Sequence, residues 1–301
     1  MKSIRTMQNS LATGTLRLAN NRIPLVIALL IVDSLHFVFA RLLLPHISPG
    51  VSAMYVLGIG TLEVGLFRLV RGRPHFTVLS RNLWFFLAIG FLVATSTNIN
   101  YEAVAFIDPG TASLLSETSI LFGLGFGLFW LREKLSLTQI GGALVALAGV
   151  FIISFQPGDY LRIGSLLVLG SAFMYAIHAA LAKRYGGEIE FLDFFFFRLL
   201  CTTGVLFLFA LGRQALVWPG PTAWALLALV GTVDVVVSRT LYYVALRLLR
   251  MSIHSIVLTL SPVAAILWSL FLFNTLPAPQ QLLGGAAVIL GVLIVTLKQN
   301  T

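Results

Sequence analysis

The sequence predicts an all-α integral membrane protein of ten transmembrane helices, arranged as two five-helix inverted-topology repeats. Three observations predict it. Of 301 residues, 58% are hydrophobic, only 10% are charged, and the mean hydropathy is +0.96. Apolar stretches of about 20 residues, the length that crosses a bilayer as a helix, recur along the chain. The second half also resembles the first at a fixed offset of 142 residues.

Soluble domains carry about 45–50% apolar and about 25% charged residues. A soluble fold of this length has no means of hiding so much apolar surface, so the bilayer is its solvent. That excludes a cytosolic enzyme, a secreted disulfide scaffold and a disordered chain. A single cysteine, Cys201, leaves no internal disulfide and no thiolate metal cluster. The net charge of +9 would suggest a nucleic-acid partner in a soluble protein. Here the cations lie between apolar stretches and read as topology signals, so no nucleic acid is expected.

In chain order the ten stretches are 23–44, 49–70, 82–105, 110–130, 137–155, 162–182, 191–212, 222–245, 251–273 and 280–297. Residues 1–22 form a basic, polar tail. It lacks a small-residue cleavage site after a short apolar core, so no cleaved signal peptide is expected. With the N-terminus inside, the inner loops and tails hold fifteen Lys and Arg, and the outer ones hold Arg41, Arg162 and Arg213. Arg198 and Arg239 fall within spans. The excess predicts a multi-pass inner (plasma) membrane protein with both termini cytoplasmic.

Without a gap, 101–152 and 243–294 share 11 of 52 positions, including Tyr101/Tyr243, Ser119/Ser261, Gln139/Gln281, Gly142/Gly284 and Gly149/Gly291. The same offset pairs His36 with His178. The expected units are therefore 23–156 and 162–298. Five spans is an odd number, so the second unit enters the membrane upside down. Inverted repeats are a common build of secondary transporters, with a site near the midplane.

Several local patterns are doubled along with the fold. Tyr-x-Ala occurs at 101–103 and 243–245. Leu-Arg-Glu-Lys-Leu at 131–135 precedes Gln-Ile-Gly-Gly at 139–142 and Ala-Gly-Val at 148–150. Gln-Leu-Leu-Gly at 281–284 and Leu-Gly-Val at 290–292 repeat the latter two, with Ser261 and Pro262 upstream. In these features the chain resembles the drug/metabolite transporter superfamily, in its ten-span EamA-type branch, from Ile23 to Lys298. Within it, the chain looks most like bacterial exporters of amino acids, aromatic ones included. The resemblance implies a central cavity lined by spans one, three, four, six, eight and nine. It also places Arg198 at a family position, which reads as structural. The first-half equivalent is Val56.

Polar residues inside spans are the functional candidates, because a charge at the bilayer centre costs about 2.5–3.5 kcal/mol on insertion scales. Glu117 lies among Ser113, Ser116 and Ser119; it suits a substrate ammonium, a proton, or a buried pair within the bundle. Asp33 and His36 are three apart and share a helix face, as do Ser171, Tyr175 and His178. These residues either line a cavity or make interhelical hydrogen bonds, and histidine titration near neutrality suits proton coupling. Arg239 shares a face with Tyr242 and Tyr243. It reads equally as a fork for a substrate carboxylate or as the partner of Glu117 or Asp33. Asp234, five residues before it, turns away on an α-helix. Asn98, Asn100, Tyr101 and Glu102 end span three as a vestibule or the water interface. Ser261 and Pro262 interrupt span nine, whether as a broken-helix site or a plain kink. Trp268 either stacks on substrate or packs. Gly142, Gly149, Gly284 and Gly291 suit close packing of spans five and ten, within the fold or across a dimer.

No phosphate loop, His-Glu-x-x-His or Gly-x-Ser-x-Gly motif occurs, so neither direct ATP coupling nor an intramembrane protease is indicated. The expected protein is not an enzyme and needs no cofactor or metal. It exports amino acids or related small metabolites as a monomer or homodimer in the lipid bilayer. The competing readings are broad drug/metabolite efflux, nucleotide-sugar-type exchange, a membrane-embedded lipid enzyme and a non-transporting receptor.

Overall fold

The computed structural model describes residues 22–130, 136–154, 163–186, 189–248, 258 and 260–297. Residues 1–21 of the tail expected over 1–22, and the motif at 131–135, lie outside them. Among the described residues the chain is helical, with no strand. In order the helices are α1 Arg22–Asp33, α2 Leu35–Leu43, α3 Pro49–Arg71, α4 Phe76–Arg81, α5 Leu83–Ala103, α6 Pro109–Ser116 and α7 Thr118–Phe129. The second half holds α8 Leu137–Ser154, α9 Ile163–Tyr185, α10 Phe191–Gly212 and α11 Pro221–Val230. A π-helical segment, Gly231–Val237, then leads into α12 Ser238–Leu248, followed by α13 Ser261–Phe273 and α14 Pro279–Leu297.

Proline opens several of these helices, where its missing N–H costs nothing. Pro109 is an example, with Asp108 as its cap accepting bonds from the Thr111 N–H at 2.9 Å and the Thr111 hydroxyl at 2.6 Å. Among the described residues, six helices are long and apolar enough to cross a membrane, and shorter apolar helices cover Ile140–Ile153, Ser261–Phe273 and Pro279–Ile294.

Interruptions account for part of the difference from ten unbroken spans. Span one is notched at Ser34, whose hydroxyl donates back to the Ile31 carbonyl at 2.9 Å, yet over Pro24–Leu43 it remains one of the six. Span four breaks at Glu117, between Ser116 and Thr118, which donate back to the Ser113 and Leu115 carbonyls, each at 2.7 Å. Hydroxyl back-bonding competes with the helical ladder and bends the helix. The first part of span nine, 251–257, lies outside the described residues. Pro262 sits in the first turn of α13 rather than kinking a continuous described helix.

The packing maps onto itself when the two halves are exchanged. α8 lies along α14, and α3 along α10, each pair joining helices 142 residues apart. α5 packs on α9 as α12 packs on α1, and α10 packs on α5 as the π segment packs on α3. Thr61 and Thr203, also 142 apart, bond hydroxyl to hydroxyl at 2.8 Å.

Both self-related pairs run antiparallel. Gly142 meets Gly291, and Gly149 meets Gly284; a Cβ on Gly149 would stand 2.5 Å from the Gly284 carbonyl oxygen, and one on Gly284 2.6 Å from that of Gly149. The four glycines thus pack α8 against α14 inside one chain.

An ion network ties one end of α3 to α10. Arg68 Nε donates to Asp193 Oδ1 at 2.8 Å, His75 Nδ1 lies 2.7 Å from Asp193 Oδ2, and Arg68 Nη2 reaches Glu190 at 3.3 Å. Arg68 and Asp193 are both buried.

Two substitutions test these contacts through the melting temperature of the purified chain. Gly149→Leu should cost about 1–3 kcal/mol by overpacking. Gly141→Leu on the same helix, where nothing stands within 4 Å, should change little. Asp193→Asn should cost about 3–5 kcal/mol, because it strands a buried guanidinium.

Candidate functional site

Span one presents Asp33 and His36 to span eight, and span eight answers with Asp234 and Arg239. The pairing is crosswise. His36 Nδ1 lies 2.9 Å from Asp234 Oδ2, and Arg239 Nη1 lies 3.6 Å from Asp33 Oδ1. The α-helical spacing that put Asp33 and His36 on one face is therefore used as expected.

Asp234 departs from its expected orientation. On an α-helix, five residues separate it from the face of Arg239. The segment 231–237 is instead π-helical, and the Ser238 N–H bonds back to the Val233 carbonyl, five residues earlier. A turn bonded at that interval brings residues five apart nearly into line, and the charge of Arg239 acts on Asp234. π segments inside α-helices occur frequently at functional sites.

Further groups surround these four. Ser238 and Ser261 donate to the two Asp33 oxygens at 3.4 and 3.3 Å. The Tyr101 ring meets the His36 ring edge-on, with centroids 5.9 Å apart, and its buried hydroxyl has no partner among the described residues. Oδ1 of Asp234 is likewise buried without a partner there. The Glu117 backbone N–H, at the break in span four, bonds to the Leu115 carbonyl, while its carboxylate makes no hydrogen bond among the described residues and lies within reach of the Asp33 charge. Ser116 beside it is spent on its own backbone.

Other candidates stand apart. Tyr175 and His178 touch on α9, with ring centroids 5.3 Å apart. The charges of Arg198 and Arg239 both act on His178. Tyr242 packs with Leu25 and Leu29 of α1. The side chain of Tyr243 lies outside the described residues. Trp268 is half-buried on α13. Asn98 donates to Glu102 at 2.9 Å, and Glu102 takes Arg213 at 2.7 Å. These three line a cavity of about 290 Å³ with Gly50 and Ala210, between the start of α3 and the end of α10.

A second group, His75, Glu190 and Asp193, brings three ligand-type atoms within 4.8 Å of one another. Arg68 is bonded to all three residues, so the charge there is already balanced by a guanidinium. Asp234 and Ser238 are the members of the central cluster missing from the candidate set. Nothing in residue type or spacing marks a π turn in advance.

The central cluster thus holds carboxylates, a guanidinium and an imidazole side by side in the interior of an apolar helix bundle. It offers opposite charges to a small polar molecule. The Bacillus subtilis (strain 168) uncharacterized transporter YdfC is 27% identical to this chain over 200 residues, 64% of each protein. The uncharacterized transporter in the sor 3'region of Acidianus ambivalens is 30% identical over 135 residues, 44% of this chain and 51% of the relative. The chain therefore spans under two thirds of the length of each. A solved structure described as a crystal structure of a protein shares the fold, with a TM-score of 0.63 and 20% identity over 92% of this chain and 98% of that one. The model of the EamA-like transporter family matches twice, over residues 22–155 and 162–297. With both halves matched, the chain belongs to the EamA-like transporter family, in the drug/metabolite transporter superfamily.

Proposed function

We propose that this chain is an inner-membrane exporter of amino acids, aromatic and other neutral ones among them, or of closely related small metabolites. It works by alternating access through a central path, with ten spans as two inverted five-helix repeats and both termini cytoplasmic. The observation that carries the reading is the crosswise cluster of Asp33, Arg239, His36 and Asp234, with Glu117 beside it. A wholly apolar path does not suit a zwitterion; this one offers both signs of charge. The contacts of Asp33, at 3.3 to 3.6 Å, are longer than good charge-assisted hydrogen bonds of about 2.7–2.9 Å. Long contacts are the ones a ligand displaces at least cost.

The inverted arrangement draws support from the antiparallel pairing of equivalent helices. Two related helices that run in opposite directions require an axis across the bundle, which lies in the membrane plane when the helices span it. The excess of inner Lys and Arg supports the orientation. Because the glycine faces of α8 and α14 meet within the chain, they give no reason for a dimer.

Counterflow in liposomes tests the proposal. Vesicles loaded with unlabelled amino acids should accumulate labelled phenylalanine through saturable exchange, measured with and without a proton gradient. Glu117→Gln and Arg239→Gln should each lose about tenfold or more in exchange while expression stays closer to wild type. Exchange of no amino acid overturns the substrate class; full activity in both variants removes these residues from the site. His36→Gln and Asp234→Asn, alone and combined, should show a coupling of about 0.5–3 kcal/mol in exchange rate.

A further inference from the structure

Arg198 is a buried cation with no carboxylate partner among the described residues. It is 5% exposed, and its Nε has no hydrogen-bond partner there. Asp193 is engaged with Arg68, Asp234 with His36, and Asp33 with Arg239; Glu117, the interior acid left over, feels the charge of Asp33 and forms no ion pair with Arg198 among the described residues. An unpaired buried charge is strongly destabilising, and a chain retains one where a ligand supplies the opposite charge.

His178 is a second buried polar group, 5% exposed; neither ring nitrogen makes a well-formed hydrogen bond among the described residues, and the backbone of Tyr175, one turn back, is the acceptor nearby. Helix register brings it to the level of Arg198. α5 runs antiparallel to α9, with Ser96 bonded to Ser171 and Trp84 against Tyr185, so His178 stands level with Gly90. α5 runs parallel to α10, with Phe86 against Phe197 and Gly90 facing Cys201, so Arg198 arrives within a turn of the same level. A Cβ on Gly90 would meet the Cys201 backbone at 3.0 Å; the glycine lets α10 close in.

We propose that Arg198 and His178 form an oxyanion subsite of the central path and receive the carboxylate of a zwitterionic substrate. The ammonium of that substrate lies toward Asp33 and Glu117. The guanidinium offers a planar fork matched to a carboxylate, and the imidazole adds an N–H. Arg239 is not the carboxylate anchor, because its charge is taken up by Asp33 and Asp234. A phosphate ester meets the same fork, but the acids across the path repel its second negative charge. The proposal deepens the amino-acid reading and rests on it for the choice of carboxylate.

Thermal melting of the full chain in detergent tests it, with phenylalanine, phenylalaninamide and inorganic phosphate as probes. Arg198→Leu should raise the melting temperature of the empty protein, because it removes a charge that has no partner. Phenylalanine should stabilise the wild type and its amide should not. Arg198→Leu, Arg198→Lys and His178→Gln should bind phenylalanine about tenfold or more weakly, with Arg198→Lys melting near wild type. Arg198→Leu melting well below wild type shows a structural partner and overturns the subsite. Equal stabilisation by acid and amide, or none by any probe, also overturns it. Liposome exchange separates this failure from that of the parent reading. Exchange of phenylalanine that survives Arg198→Leu intact keeps the exporter and rejects the subsite. A phosphate response lost in Arg198→Leu, without phenylalanine exchange, keeps an oxyanion site and rejects the amino-acid substrate.

Discussion

Lipid supplies no counter-charge, so every ionised group in this interior must find its opposite within the protein or in what the protein carries. The structure meets that constraint with two kinds of contact. At one end of α3 and α10 the network is tight: Arg68, Asp193 and His75 meet at 2.7 to 2.8 Å. Between spans one and eight it is looser, with Asp33 reached by Arg239, Ser238 and Ser261 only at 3.3 to 3.6 Å. The first has the geometry of a clasp. In the second, the His36–Asp234 contact is short at 2.9 Å, while Oδ1 of Asp234 and the Tyr101 hydroxyl have no partner among the described residues.

The backbone packing obeys a two-fold relation that the chemistry breaks. Ser238 is the counterpart of Ser96, and both donate across an interface between halves. Ser238 meets Asp33, while Ser96 meets Ser171 at 2.8 Å in a neutral contact. The counterparts of Asp33 and Arg239 are Tyr175 and Thr97. One interface is therefore charged and its twin is not. A molecule with two unlike ends needs unlike walls, and the asymmetry of side chains provides them on a nearly symmetric scaffold.

Much of this was legible from residue order. Apolar length announced the helices, and doubled Tyr, Gln and Gly announced the two units. Gly142 and Gly149 foretold a close crossing, because seven residues return to one face of a helix. Asp33 with His36 was legible for the same reason. What was not legible depends on contacts distant in sequence or on irregular backbone. Asp234 joined the site because a π turn replaced the spacing assumed for it. Glu102, which Asn98 reaches four residues along its own helix, meets Arg213 because of how α10 ends, which the neighbours of Glu102 in sequence do not encode. Arg198 matched a family position and so read as structural; that no carboxylate pairs with it among the described residues is visible only in three dimensions.

The π segment has a consequence for how such a chain can change through descent. It is an α-helix that holds one residue more than its turn needs. A single residue gained or lost there swings everything beyond it by about 100° around the helix axis. Arg239 and the tyrosines past it would be re-aimed together, with no side chain altered. One codon can thus redirect half a span toward a different cargo while the apolar length that keeps it in the membrane is almost unchanged.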